Sequence, residues 1–376
     1  MRKEWQKSEK IVIKIGSALL ADQRSGCMRE AWLASLAQDI ASLKEQGKTV
    51  VIVSSGAIAL GRQQLNDKNL ELNADRLVLN EAQAAAAIGQ ITLAHAFKDV
   101  FQPFGLTCAQ ILLTLTDTEK RRRYLNARAT INTLLELGAI PVVNENDTIS
   151  TNEIRYGDND RLAARVAAMI GADCLLLLSD IDGLYTSPPD EKEGAEHIEE
   201  LTAITREIEE MAGTSGSSIS SGGMVTKLMA AKIVLAAGCN MVIASGTDNN
   251  PIRSFIEGGR ATWFISDTDP IQARKAWIAG ALDYKGIITI DPGAEKALNA
   301  GNSLLPAGVT KIEGNFIRGD LVLIKNQQDE QIALGMSAFT SEDAAKIIGK
   351  QSRELEAILG YSGRSEVVHR DDMALT

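Results

Sequence analysis

The segment at residues 144–160 concentrates carboxylate and carboxamide side chains that could bind a small polar ligand. It holds three aspartates and four asparagines: Asp147, Asp158, Asp160, Asn144, Asn146, Asn152 and Asn159. Carboxamides bind ammonium and carboxylate groups, and a carboxylate orients lysines or carries Mg²⁺. The alternative is a turn-rich loop in which Asp158 caps a helix, because Asp and Asn favour both roles. The residue types alone leave both interpretations open.

Lys14 is a second residue that could do chemistry. It lies near the end of an apolar segment, residues 10–15, which predicts a buried strand, and Gly16 follows it. A lysine in this position can reach an anion above the edge of a sheet. The alternative is an edge lysine whose ammonium group lies in water while its methylenes are buried.

Two segments rich in small residues predict anion-binding turns. Residues 54–61 follow an apolar strand and begin a helix, where exposed amides bind anions and Ser55 adds a hydroxyl. Residues 213–223 are rich in glycine and serine and run into a helix, with Lys227 predicted in its first turn. That arrangement is typical of a phosphate-binding loop, although the Walker A spacing is absent. A flexible linker is the alternative for residues 213–223.

Polar residues also follow the apolar segment at residues 174–178. Ser179 and Asp180 come directly after it. Open α/β sheets bind ligands at the carboxyl ends of their strands, so these two side chains are predicted to line a site.

The composition narrows the class of protein. The chain has 376 residues, a hydrophobic content of 45% and a net charge of −10, which argues against a general nucleic-acid binder. No apolar run reaches the length of a membrane span, and the N-terminal residues lack the apolar core of a signal peptide. The four cysteines form no CxxC pair, so we expect buried thiols in the cytoplasm.

The order of apolar segments predicts two domains. Strands and helices alternate through residues 8–266, which predicts a mostly parallel sheet between helical layers. Residues 267–284 are predicted to form a linker, and residues 285–376 a small β-rich domain. The last 96 residues hold ten Lys/Arg and fourteen Asp/Glu, which gives no basic patch for RNA.

Taken together, these motifs resemble the glutamate 5-kinase family over nearly the whole chain. The motifs lie, in the order found in that family, at residues 14–17, 54–61, 124–128, 141–147, 157–160, 179–180 and 221–227. The resemblance implies an amino acid kinase fold, an open αβα sandwich, followed by a PUA-like domain over residues 285–376, whose motifs lie at residues 303–308, 314–319 and 368–373. The family often has threonine at positions 179 and 221, where this chain keeps the hydroxyl with serine.

The resemblance also implies roles for individual residues. The catalytic residues would be Lys14, Lys227 and Asp160, with Asp160 organising the two lysines. The residues that would bind the acceptor are Ser55, Gly56, Asn144, Asp147 and Asn159. The residues that would bind ATP are Lys14, Ser179, Asp180, Ser221, Gly222, Gly223, Met224, Val225, Thr226 and Lys227. The protein ligands of Mg²⁺ are left unassigned.

The implied reaction is ATP-dependent phosphorylation of the side-chain carboxylate of L-glutamate, the first step of proline biosynthesis. The family further implies feedback inhibition by proline, a homo-oligomer, and hand-over of the product to glutamyl phosphate reductase. One alternative is a kinase of the same fold acting on acetylglutamate, aspartate, carbamate or UMP. Another is an RNA-binding protein, against which the acidic last domain argues.

Overall fold

A computed structural model describes residues 2–22, 27–66, 77–150, 158–187, 194–213, 220–279, 284–361 and 363–375. The chain divides into two compact units, Met1–Pro270 and Ile271–Thr376. The end of the first domain at residue 266 and the start of the second at residue 285 stay predictions from the sequence. Helix Pro270–Ala279 occupies part of the segment predicted as a linker.

The first unit alternates strands and helices. Its strands are β1 (Lys10–Ile15), β2 (Thr49–Val53), β3 (Cys108–Leu113), β4 (Ile140–Glu145), β5 (Cys174–Ser179), β6 (Leu184–Tyr185), β7 (His197–Ile198), β8 (Glu200–Leu201), β9 (Asn240–Ser245) and β10 (Ala261–Phe264). Its helices are α1 (Lys3–Lys7), α2 (Ser17–Leu20), α3 (Glu30–Glu45), α4 (Ala57–Asn66), α5 (Leu79–Phe101), α6 (Leu115–Glu119), α7 (Arg121–Glu136), α8 (Asp158–Ile170), α9 (Arg206–Gly213), α10 (Ser220–Ala236) and α11 (Pro251–Ile256).

Within the described residues, eight of these strands form one sheet in the order β3-β4-β2-β1-β5-β9-β10-β8. All neighbouring pairs run parallel except β9 and β10, which are antiparallel. The strands β1, β2 and β5 are buried on both faces, which explains their continuous apolar sequence. The predicted α/β class with a mostly parallel sheet is confirmed.

The sheet separates two apolar cores. One core lies against α3 and α5 and includes Trp32 and Phe97, while the other lies against α8 and α10 and includes Leu162 and Val234. Alternate residues of β1 enter opposite cores: Ile13 belongs to the first and Val12 to the second. Lys14 follows this alternation, so it lies on the α8–α10 side of the sheet.

Two details of the predicted elements are wrong. The sequence of residues 117–137 predicts one helix, but the structure has two, α6 and α7, because Lys120 between them is extended (φ −74°, ψ 113°). A capping box between Thr114 and Asp117 begins α6, with the Asp117 carboxylate accepting from the Thr114 backbone N at 2.8 Å. The thiols are not uniformly buried: Cys174 and Cys239 are buried, whereas Cys27 is exposed.

The second unit is a five-stranded sheet with short helices. After α12 (Pro270–Ala279), its elements are β11 (Gly286–Ile290), α13 (Pro292–Asn299), β12 (Val309–Gly314), β13 (Leu321–Lys325), β14 (Gln331–Ser337), α14 (Ser341–Lys346), α15 (Leu355–Leu359) and β15 (Val368–Leu375). Its described strands follow the order β12-β11-β13-β14-β15. They enclose a separate apolar core that includes Ile288, Phe316 and Ile324, so the predicted β-rich character is confirmed.

Candidate active site

Asp160 lies between two lysines that are distant in sequence. Its Oδ1 is 2.6 Å from Lys14 Nζ, and its Oδ2 is 3.4 Å from Lys227 Nζ. Only 1% of the Asp160 side chain and 9% of each lysine side chain are exposed. The structure therefore brings together the three residues that the sequence assigned to catalysis.

Three elements position this triad. Lys14 comes from β1, Asp160 from the first turn of α8, and Lys227 from α10. The helices α8 and α10 pack on the same face of the sheet through small and branched residues such as Ala163, Ala167 and Ala231. Close packing of these helices places the start of α8 beside α10, above the end of β1.

The electrostatics of the triad keep the central carboxylate ionised. Burial alone raises the pKa of Asp160, but Lys14, Lys227 and a hydrogen bond from Thr226 outweigh it, so its pKa lies below the usual value. Burial lowers the pKa of Lys14, and Lys227 adds to this, whereas attraction to Asp160 opposes it. Asp160 thus supplies the countercharge that allows two ammonium groups to share one buried site.

The predicted position of Lys227 in its helix is wrong. The helix begins at Ser220 rather than near Met224, so Lys227 lies about two turns inside it. The field of a helix terminus fades beyond its first turn. The ammonium group is held instead by Asp160 and by the carbonyl of Gly223, which accepts from Lys227 Nζ at 3.3 Å.

A second group of polar residues joins the start of α4 to the start of α8. The Asn159 side chain donates from Nδ2 to Ser55 Oγ at 2.7 Å and to the Ser54 carbonyl at 3.2 Å. Asn159 Oδ1 is buried and has no hydrogen-bond partner among the described residues. A buried acceptor without a donor is costly, so this oxygen is suited to receive an N–H from a ligand. Gly56 follows with a φ of +97°, which favours glycine.

The end of β4 adds Asn144, and the turn after β4 adds Asp147. Asn144 is 2% exposed and donates from Nδ2 to Gln90 Oε1 at 2.7 Å. Burial raises the pKa of Asp147 to about 6, and no described charge compensates it. The rest of the polar segment, residues 151–157, including Asn152 and Gly157, lies outside the described residues.

The residues predicted to bind the nucleotide lie on two elements near the triad. Ser179 ends β5, and its hydroxyl donates to Asp180 Oδ1 at 3.0 Å; Asp180 acts electrostatically on Lys14. Gly223 and Thr226 contact the triad directly, since Thr226 Oγ1 is 3.1 Å from Asp160 Oδ2. Met224 and Val225, in contrast, pack against the α8–α10 core. The side chain of Ser221, the surroundings of Gly222 and residues 214–219 lie outside the described part of the chain.

Sequence reasoning missed Gln83 and Gln90 of α5. Gln90 contacts Asn144 in β4, and Gln83 contacts the Ser150 carbonyl in the turn after β4. The available signal was their spacing of seven residues on an Ala-rich helix, which places two polar side chains on one helix face.

Within the described ranges, no group of three or more His, Cys, Asp or Glu side chains lies where it could share a metal ion. None of the described helices combines the length and apolarity that crossing a bilayer needs.

Comparisons with known proteins show which families the chain resembles. The amino acid kinase family matches residues 9–245, and the PUA domain matches residues 286–359. A glutamate 5-kinase from Agrobacterium fabrum is 55% identical over 375 residues, which cover 100% of this chain and 95% of the relative. A glutamate 5-kinase from Rhodopseudomonas palustris (strain BisB5) is 54% identical over 366 residues, which cover 97% of this chain and 96% of the relative.

Solved structures share the fold of the first unit. A Giardia carbamate kinase has a TM-score of 0.51 and 16% identity, and the match covers 69% of this chain and 100% of that one. The carbamate kinase from Giardia lamblia bound to AMP-PNP has a TM-score of 0.50 and 16% identity, with coverage of 69% and 99%. At this identity the likeness concerns the fold alone.

Proposed function

The chain belongs to the glutamate 5-kinase family, and from this we propose that it uses ATP to phosphorylate the side-chain carboxylate of L-glutamate. The product is L-glutamyl 5-phosphate, the first intermediate on the way to proline. The observation that carries the proposal is the buried Lys14–Asp160–Lys227 triad. A PUA domain at residues 286–359 follows the kinase domain, and the similarity to the Agrobacterium fabrum relative extends over both.

Phosphoryl transfer to a carboxylate brings two anions together. Catalysis then consists mainly of aligning them and neutralising the charge that spreads over the transferring group. Lys14 from β1 and Lys227 from α10 supply two positive charges, and Asp160 between them fixes their separation. The acceptor carboxylate is already ionised at pH 7, so the reaction needs no general base.

On the acceptor side, the polar groups match the two ends of an amino acid. The unpaired Asn159 Oδ1 and the Asp147 carboxylate are suited to an ammonium group. Ser55 and the backbone at Gly56, at the start of α4, are suited to a carboxylate. We infer that these residues, with Asn144, hold L-glutamate with its side chain towards the lysines.

On the nucleotide side, Ser179, Asp180 and residues 221–227 surround the triad from β5 and α10. We assign ATP binding to these residues. A magnesium ion fits this donor set, because Mg²⁺ is usually held by nucleotide phosphates, water and one or two carboxylates rather than by a protein cage. Asp180 is the available carboxylate, since Asp160 is engaged by both lysines. When bound, the ion would neutralise phosphate charge.

Further properties of the proposal come from the family resemblance. They are a cytoplasmic location, feedback inhibition by proline, a homo-oligomeric state and transfer of the product to glutamyl phosphate reductase. The acidic balance of residues 281–376, ten Lys/Arg against fourteen Asp/Glu, supports a PUA domain that does not bind RNA.

A substrate panel tests the reaction. The purified chain is mixed with ATP, Mg²⁺ and one acceptor: L-glutamate, N-acetylglutamate, aspartate, carbamate or UMP. ADP release with L-glutamate, and trapping of the acyl phosphate by hydroxylamine, are expected. Release with another acceptor and none with L-glutamate would contradict the proposal. Proline added to the L-glutamate reaction tests the feedback inhibition.

A further inference from the structure

Two glutamines on α5 contact residues 144–150, which comprise the end of β4 and the turn after it. Gln90 Oε1 accepts from Asn144 Nδ2 at 2.7 Å, and Gln83 Nε2 donates to the Ser150 carbonyl at 3.0 Å. The two glutamines are seven residues apart, which is about two helical turns. They therefore hold the two ends of residues 144–150 against one face of one helix.

The backbone fixes the polarity of both hydrogen bonds. Asn144 Oδ1 accepts from the backbone N of Glu145 at 2.9 Å, so the Nδ2 group must face Gln90, and Gln90 must accept. The Ser150 carbonyl can only accept, so Gln83 must donate. One glutamine thus uses its oxygen and the other uses its nitrogen.

Helix α5 packs on α4 with the two helix backbones in contact. A Cβ at Gly61 would lie 1.8 Å from the Ala85 carbonyl oxygen, and a Cβ at Gly89 would lie 1.8 Å from the Ala57 carbonyl oxygen. Only glycine permits backbones to approach so closely. Because α4 begins at Ala57, two residues after Ser55, this contact links the position of Ser55 to the helix that carries both glutamines.

The held segment is buried at both ends and carries Asp147 in its middle. Asn144 is 2% exposed and Ser150 is 7% exposed. Asp147 itself is half-buried, and this burial raises the pKa of its carboxylate to about 6. Ionised carboxylates favour solvent, so a loop that keeps the Asp147 carboxylate partly buried needs contacts that hold it in place.

We propose that Gln83 and Gln90 are positioning residues that hold residues 144–150 for binding of the acceptor amino acid. This rests on the proposed function, because the acceptor is the L-glutamate of that reaction. The two side chains act through Asn144 and Asp147 and not on the nucleotide, which is assigned to β5 and α10. Loss of either anchor weakens acceptor binding and leaves nucleotide binding unchanged.

The polarity of the two bonds gives a paired test. Gln90→Glu keeps the accepting oxygen, whereas Gln83→Glu replaces a donor with a carboxylate that faces a carbonyl. Both variants add the same charge on the same helix face. Gln46→Glu, at the exposed end of α3, is the control for an added surface charge. Steady-state kinetics with L-glutamate and ATP are measured for the wild type and the three variants.

The expected result is a KM for L-glutamate raised about tenfold in Gln83→Glu, about the value of one buried hydrogen bond, and raised much less in Gln90→Glu. The KM for ATP stays unchanged in both. Gln83→Met, which removes the donor without adding charge, shows the same direction and covers the case in which Gln83→Glu does not fold. In Gln83→Met the Asp147 carboxylate becomes more solvated, so its pKa falls from about 6. The rise in KM for L-glutamate at low pH then begins at a lower pH than in the wild type.

Two results would overturn the inference while leaving the reaction intact. The first is a KM for L-glutamate in Gln83→Glu and Gln83→Met equal to that of Gln46→Glu. The second is an equal rise in Gln83→Glu and Gln90→Glu, which would mean that charge and not polarity matters. A wild-type protein that releases no ADP with L-glutamate would instead contradict the proposed function itself.

Discussion

The two sides of the candidate site are built differently. On the phosphoryl side, Lys14, Asp160 and Lys227 compensate one another inside the protein, and each charged group has a partner. On the acceptor side, the Asn159 Oδ1 atom and the Asp147 carboxylate are withdrawn from water, and no described side chain pairs with them. The first arrangement is complete without a ligand, and the second is not.

This difference separates positioning from binding. A self-compensated triad keeps its geometry before any substrate arrives, which is what stabilising a developing charge requires. Burying a polar atom without a hydrogen-bond partner costs free energy, and a ligand that supplies the hydrogen bond offsets this cost. We therefore expect substitutions in the triad to lower kcat, and substitutions on the acceptor side to raise the KM for L-glutamate.

The largest expected effect is the removal of either lysine. Lys14→Ala or Lys227→Ala should lower kcat by about 10³-fold, because each removes a positive charge from a water-excluded site. Phosphoryl transfer is measured as ADP release at saturating L-glutamate and ATP. Lys311→Ala, which removes an exposed lysine of the second unit, is the control. A kcat near the wild-type value in either triad variant would remove that lysine from the mechanism.

The next effect is loss of the central carboxylate. Asp160→Asn should lower kcat by about 10²-fold, because the two ammonium groups then repel and move from their positions. It should also lower the free energy of unfolding by about 3 kcal/mol, the cost of breaking a buried ion pair. Thermal denaturation and ADP release measure the two quantities. A variant that keeps both stability and rate would show that Asp160 does not organise the lysines.

A smaller effect is expected on the acceptor side. Asn159→Ala should raise the KM for L-glutamate about tenfold or more, with a much smaller change in kcat, because a ligand loses a hydrogen bond to a buried amide. Ser55→Ala, which removes the hydroxyl that Asn159 contacts, should act in the same direction. An effect confined to kcat in both variants would contradict the separation of the two sides.

The smallest effect is the pH dependence of acceptor binding. The folded-state pKa of Asp147 is raised to about 6, so the ionised form predominates only above that pH. The KM for L-glutamate should therefore rise as pH falls through about 6. The same shift means that ionising Asp147 destabilises the fold, and this cost develops as pH rises from about 4 to about 6. Asp147→Asn should abolish both dependences; an unchanged profile would assign them to another group.

The fold could be predicted from the sequence further than the site could. Apolar strands such as Thr49–Val53, buried on both faces, indicate a parallel sheet, and the alternation of strands and helices indicates its layers. The break at Lys120 was missed, because residues 117–137 have a helical composition throughout and contain neither glycine nor proline at the break.

Contacts between residues distant in sequence cannot be predicted from hydrophobic periodicity, which reports local structure. Lys14 and Lys227 are 213 residues apart, and the packing of α8 against both β1 and α10 brings them to Asp160. The order of motifs in a known family predicted this meeting, whereas spacing alone did not. Gln83 and Gln90 escaped both routes, since their seven-residue spacing places them on one helix face but does not show whether that face meets water or a loop.

The most direct test of the separation between the two sides is the affinity of Lys227→Ala for L-glutamate, measured by calorimetry without nucleotide. We predict a dissociation constant within about twofold of the wild-type value, together with the loss of phosphoryl transfer, because Lys227 serves the phosphoryl side. A loss of L-glutamate affinity as large as that in Asn159→Ala would contradict it, since one lysine would then serve both sides.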